Sequence, residues 1–265
     1  MLALIAATIA VSAPCAGAGD GGAAAAAANA ASLGTLAWAP FGRTETGWVV
    51  YAPRIAVEIG TACRPSEPGF GRSLAAWQAA HRLPSNGVFE AATFAAMKAK
   101  WQAARPFAHI KREDCPPPPP PERLVFATPD EGYGGKRVAL RPSTLAAYRA
   151  MVAAATAAGL RRLEPRALRL FSGYRDPQSD AARCAVDGNC NGVVRAVCSA
   201  HRTGLALDMW IGAAPGYGPD STADANRQAM VGTPLYRWLL TNGARFGFIN
   251  YVFEPWHWEY TSEAI

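Results

Sequence analysis

The stretches SAHRTGLALD, residues 199–208, and EPWHWEY, residues 254–260, decide how this chain is read. The chain has only four histidines, and two of them, His201 and His257, sit here beside carboxylates. In the first stretch Thr203-Gly204 suits a bend. The residues after it alternate as in a strand, with Ala206 and Asp208 on one face and Leu205 and Leu207 on the other. Asp208 can then approach His201 across the bend. In the second stretch alternation puts His257 and Glu259 on one face and Trp258 and Tyr260 on the other. Pro255 stops Glu254 from continuing a regular ladder, so Glu254 can reach back toward the same place.

Two imidazoles and one carboxylate form a common zinc set that leaves a fourth position open for water, the mark of a catalytic rather than a structural site. His201, Asp208 and His257 are the candidate ligands of one Zn2+ per chain. Glu254 is the candidate base for the water, whose pKa zinc lowers to about 7. The plainer alternative is a buried His201–Asp208 ion pair with His257 packed between tryptophans.

Outward from the motifs, the C-terminal segment mixes helix and strand patterns. RPSTLAAYRAMVAAATAAGL reads as a helix with Ser143 or Thr144 near its cap and Gly159 near its stop. ALRLFSGY reads as a strand, DPQSDAARC as a helix start, and GLALDMWI and WHWEY as further strands. TPLYRWLLTNGARFGF reads as a helix capped by Thr233, with Pro234 in its first turn. That order predicts an α+β domain with a small, largely antiparallel sheet and flanking helices.

Together the motifs resemble the zinc D-alanyl-D-alanine carboxypeptidases of the vancomycin-resistance type, a group shared with lysostaphin and the Sonic hedgehog fold. The resemblance covers about residues 123–260. It implies His201, Asp208 and His257 as zinc ligands and Glu254 as catalytic base. A strand ending in SGYR and followed by a glutamine matches Ser172 to Arg175 and Gln178. The resemblance implies that Arg175 holds the substrate carbonyl or developing oxyanion, and that Ser199 lies near the substrate carboxylate. Gln178, Tyr174 and Trp256 complete the substrate-binding candidates. The DGNCNGVVRAVC insert, residues 187–198, falls where that family lines its cleft.

The run CPPPPPPE, residues 115–122, forms a stiff extended rod and predicts a linker at 115–121. It separates a module at 34–114 from a peptidase domain at 122–265. Within the module, RSLAAWQAAHRL places Leu74, Trp77 and Ala80 or His81 on one helical face, and EAATFAAMKAKWQAA does the same for Phe94, Met97 and Trp101. Helix, LPSNGVFEAAT turn and helix resemble the small three-helix peptidoglycan-binding module over residues 72–104. Upstream, WVVYAPRIAVEIG, residues 48–60, reads as a short strand pair. Residues 19–33, rich in Gly and Ala, read as a low-complexity tether.

Residues 1–18 have the layout of a secretory signal peptide with cleavage after Ala18, although no basic residue precedes the apolar run. A lipoprotein signal ending at Cys15 is the alternative, against which Pro14 counts. No transmembrane segment is expected, since the run is shorter than the roughly 20 apolar residues a span needs. Loss of Cys15 would leave five of the six cysteines, and so one unpaired thiol. Cys63 and Cys115 could close the module, and Cys184, Cys190 and Cys198 could supply one local disulfide.

The formal charge is +6, but the Lys and Arg residues are scattered, which argues against nucleic acid and leaves anionic wall polymers as fitting partners. The expectation is an exported protein of periplasm or cell wall, acting on peptidoglycan stem peptides and glycan. Removal of a terminal D-Ala is the leading reading. An endopeptidase on cross-links or an internal stem bond, or a non-catalytic zinc-containing wall-binding protein, are the competing ones.

Overall fold

The computed structural model describes residues 15–17, 22–110, 114–187 and 198–265. The apolar leader and most of the DGNCNGVVRAVC insert lie outside the described residues. Two compact units are present. One comprises residues 1–40 and 44–97, the other residues 41–43 and 98–265. The units therefore divide ahead of Lys98, not at the polyproline run, because side chains from Gln102 to Ala108 help build the cavity of the second unit.

The first unit contains helix α1 (Gly22–Ser32), the two-residue strands β1 (Ala37–Trp38) and β2 (Glu45–Thr46), and helices α2 (Ala52–Glu58) and α3 (Pro68–Ala80). Helix α4 (Ala91–Ala103) runs through the division. The Gly/Ala tract is thus a helix and not a tether. Alanine has the highest helix propensity, and small side chains let two helices approach closely. A Cβ on Gly71 of α3 would stand 2.9 Å from Ala25 Cβ of α1. Buried Asn29 makes the contact specific, donating to the Gly87 carbonyl at 2.9 Å and accepting from Phe89 N at 2.7 Å. Gln78 of α3 accepts from Gly87 N at 2.9 Å, so two buried amides fasten the SNGV turn, where Gly87 has φ +71°.

The expected strand pair at 48–60 is helix α2 instead. Pro53 occupies its first turn, where a fixed φ and a missing N–H cost nothing. Leu74, Trp77, Phe94, Met97 and Trp101 are all buried, as their spacing predicts, whereas His81 is exposed and stacks on Trp77.

Cys15 is bonded to Cys63 and Cys115 to Cys198, and Cys184 is also disulfide-bonded. No cysteine is free among the described residues. This corrects the closure of the module by Cys63 and Cys115. Cys15, which the expected cleavage after Ala18 would separate from the chain, is here the partner of Cys63. Among the described residues no helix is long and apolar enough to cross a membrane.

In the second unit the hairpin β3 (Val125–Phe126) and β4 (Ala139–Leu140) precedes helices α5 (Pro142–Ala157) and α6 (Leu160–Leu163). Then follow β5 (Leu170–Ser172), α7 (Pro177–Asp187), β6 (Ala206–Met209), α8 (Asp224–Val231), α9 (Pro234–Asn242), β7 (Phe248–Asn250) and β8 (His257–Tyr260). The sheet is antiparallel throughout, in the order β5-β6-β8-β7, so the fold is α+β. Its strands are buried on both faces, with Leu170, Leu207, Met209, Phe248 and Trp258 in the core.

Thr233 caps α9 by accepting from Tyr236 N at 3.1 Å. α5 starts differently from expectation: Arg141 is the cap residue and Pro142 opens the helix, while Gly159 takes φ +80° at its far end. β7 and α8 were not anticipated. Phe248–Asn250 is too short to show alternation beside the preceding helix, and α8 buries the polar Asn226 and Arg227 beside Met230 and Val231, so its inner face carries no apolar stripe.

Candidate metal centre

His201 sits on a single 3-10 turn, Ala200–Thr203, immediately before β6. Ser199 caps the turn, its Oγ accepting from His201 N at 3.3 Å. Thr203 accepts from Leu205 N and donates to the Ala200 carbonyl. Gly204 leaves the turn at φ +71°, a conformation that costs glycine nothing. Asp208 of β6 and His257 of β8 are partners in the ladder, directly opposite one another.

These three side chains are buried and converge. His201 Nε2 lies 3.2 Å from Asp208 Oδ2, and His257 Nδ1 lies 2.9 Å from Asp208 Oδ1. One nitrogen or oxygen from each falls within 4.8 Å of the others. The outer nitrogens are also committed. His201 Nδ1 donates to the Gly173 carbonyl at 2.7 Å, and His257 Nε2 faces Glu259 Oε1 at 3.3 Å. Such anchoring fixes ring orientation and tautomer and aims the remaining lone pairs inward, the arrangement found around histidines that hold metal. The donor set therefore fits a zinc ion. Gly173 is required for it, since a Cβ there would stand 2.5 Å from the Ala139 carbonyl.

The site is strongly polarised. Burial pushes His201 down to about 4. Burial opposes charge on His257 too, but hydrogen bonds to Asp208 and Glu259 outweigh it and raise its pKa to about 9. Asp208 is held well below the usual carboxylate range, the two imidazoles outweighing its burial.

Glu254 follows the bend after β7, its N–H on the Tyr251 carbonyl at 2.8 Å and its own carbonyl accepting from His257 N at 3.0 Å. Asn250 braces this bend, donating to the carbonyls of Glu254 and His257. Glu254, His201, Asp208 and His257 all line one cavity of about 290 Å3. Burial pushes the Glu254 carboxyl up to about 7, the range of a working general base.

Arg175, Ser199 and Trp256 line the same cavity. Arg175 donates from Nη2 to Ser199 Oγ at 3.1 Å and pairs through Nε with Asp180 of α7 at 2.9 Å. The remaining two candidates stand apart. Tyr174 is half-buried, with its N–H on the Ala139 carbonyl, and Gln178 is exposed in the first turn of α7; neither lines the cavity.

Four residues about the site escaped the sequence reading. Glu259 was placed on the His257 face but given no role. Asp180 and Asn250 hold Arg175 and the Glu254 bend through contacts across short turns, which helix or strand periodicity does not signal. Arg105 belongs to a segment read as another module. A second cavity of about 200 Å3 shares Arg175, Arg183, Asp208 and Asp220 with the first and continues past Tyr133 and Lys136.

No curated protein matches the chain. Among solved structures, that of the LdcB LD-carboxypeptidase, described as revealing the molecular basis of peptidoglycan recognition, is similar at 23% identity and a TM-score of 0.37. The match covers 53% of this chain and 69% of that one. Residues 137–263, which contain every candidate ligand together with Glu254 and Arg175, match the family model described as "VanY: D-alanyl-D-alanine carboxypeptidase".

Proposed function

We propose that the protein is an exported zinc metallopeptidase that removes the terminal D-Ala from peptidoglycan stem peptides. The convergence of His201 Nε2, Asp208 and His257 Nδ1 beside the buried Glu254 carries this reading. Zinc bound by those three side chains would activate a water and polarise the scissile carbonyl. Glu254 takes the proton of the attacking water and delivers it to the leaving amine, a task suited to a carboxyl raised to about 7. Arg175, steadied by Asp180 and Ser199, offers its guanidinium edge to the developing oxyanion. Ser199 and Trp256 help seat the peptide end.

Export is supported by the disulfides, which persist in oxidising compartments. The helices α2, α3 and α4 support a wall-binding role for the N-terminal unit, which would raise the local concentration of substrate. A second reading, cleavage of an internal or cross-linked bond, is favoured by the continuation of the cleft past Asp208.

The test is zinc content and D-Ala release from a muropeptide pentapeptide, for the wild type and Glu254→Gln in parallel. One zinc per chain in both, with release abolished only in the variant, supports the carboxypeptidase. Zinc without release, but with cleavage of a cross-linked dimer, selects the endopeptidase. A wild type that binds no zinc overturns both.

A further inference from the structure

Arg105 lies ahead of the polyproline run and ahead of residues 137–263, yet its guanidinium is buried in the sheet unit, 8% exposed. Its Nε and Nη2 both bond Glu259 Oε1, the former at 3.1 Å. The same Oε1 is the atom that faces His257 Nε2 at 3.3 Å. Nη1 donates to Gln102 Oε1 of α4 at 2.8 Å, and the guanidinium lies 4.1 Å from the centre of the Tyr251 ring. Tyr251 in turn meets the His257 ring edge-on and gives its N–H to the His257 carbonyl at 3.0 Å.

We propose that Arg105 is a positioning residue for the metal centre, acting through Glu259 on His257. This rests on the zinc reading of the site. A buried carboxylate is held only where it is paired and hydrogen-bonded. Arg105 supplies the pairing from a fork fixed on three sides, by Glu259, Gln102 and Tyr251. Glu259 is thereby kept where it orients the outer nitrogen of His257, and Nδ1 is turned toward Asp208 and the ion. The peptidase unit is complete only with this residue from outside the family segment.

Zinc dissociation constants by chelator competition test this in the full chain, for wild type, Arg105→Ala, Arg105→Lys, Glu259→Gln and the double variant Arg105→Ala/Glu259→Gln. Circular dichroism and thermal unfolding of the metal-free proteins run alongside. Arg105→Ala is expected to weaken zinc binding about 10- to 100-fold, the usual cost of removing a group that orients a ligand. Arg105→Lys recovers part of the loss, since it restores charge without the fork. The double variant binds no more weakly than Glu259→Gln alone, because one path is broken twice. Wild-type zinc affinity in Arg105→Ala, even with a lower unfolding temperature, overturns the proposal, as do fully additive losses. Should Arg105→Ala fail to fold, Arg105→Lys carries the comparison, and undiminished affinity there overturns it equally. A wild type without zinc brings down the metal reading itself and this inference with it.

Discussion

Asp208 stands opposite His257 across the β6–β8 ladder and divides its carboxylate between two imidazoles, Oδ1 toward His257 Nδ1 at 2.9 Å and Oδ2 toward His201 Nε2 at 3.2 Å. Charge and geometry are both needed there. Asp208→Asn keeps the shape but removes the negative charge and one acceptor lone-pair set. Zinc affinity should fall by more than the roughly 10- to 100-fold seen for orienting groups. Metal analysis after dialysis checks this, with circular dichroism expected unchanged.

Glu254→Gln separates catalysis from folding. Activity on the pentapeptide should fall about 100- to 10,000-fold. Stability of the chelated protein should move the other way. The folded carboxyl has its pKa raised to about 7 by burial, above its ordinary value of 4.5. Between those values the folded state holds a proton that the unfolded state has released, so stability falls as pH rises from 4.5 to 7. Above 7 the full penalty is present, and each pKa unit corresponds to about 1.4 kcal/mol. Urea unfolding of the metal-free proteins should therefore find the variant more stable at pH 8 and the two converging near pH 4.5.

Arg175→Ala should lower kcat about 100- to 1,000-fold if the guanidinium meets the oxyanion, with a smaller change in KM. Asp180→Asn leaves the guanidinium in place but frees Nε of its partner, and a milder loss is expected. A variant that raises KM alone would move Arg175 to uniform substrate binding.

Much of this site was legible because its residues are local in sequence and periodic. His201, Gly204 and Asp208 form one bend and strand, and Glu254 to Glu259 form one bend and strand, so alternation places the side chains before any tertiary contact is known. The α+β class followed from the same alternation next to helical periods. Arg105 was not legible, since its partner Glu259 lies 154 residues away, and Asp180 and Asn250 were not, since their partners are close in sequence but fall outside any helix or strand period. Two local readings failed for other reasons. The Ala-rich tract looked featureless, yet α1 gains specificity from one buried amide, Asn29, and from the bare backbone at Gly71. WVVYAPRIAVEIG is rich in β-branched residues, but Pro53 opens a helix there and tertiary packing of Tyr51 and Ile55 decides the outcome.

Away from the site, the pair Glu131–Arg149 gives an acid-dependent stability term. Arg149 Nε and Nη2 donate to the two oxygens of Glu131 at 2.7 and 2.9 Å, and Thr128 N adds a third bond. The Arg149 bond, against some burial, holds the Glu131 carboxyl down at about 2. The folded pKa lies below the ordinary value of 4.5, so the stabilisation is fully present above 4.5 and is lost as pH falls toward 2. The side chain of Arg149 is 49% exposed, so solvent screening reduces the effect, and about 1 kcal/mol is expected. Glu131 also accepts from Leu170 N at 2.8 Å through its carbonyl, which ties this loop to β5. Glu131→Gln should thus lose about that much stability at pH 7 and show a shallower decline between pH 4.5 and 2, measured by thermal unfolding across that range. Equal slopes in wild type and variant would show that the pair contributes nothing in solution.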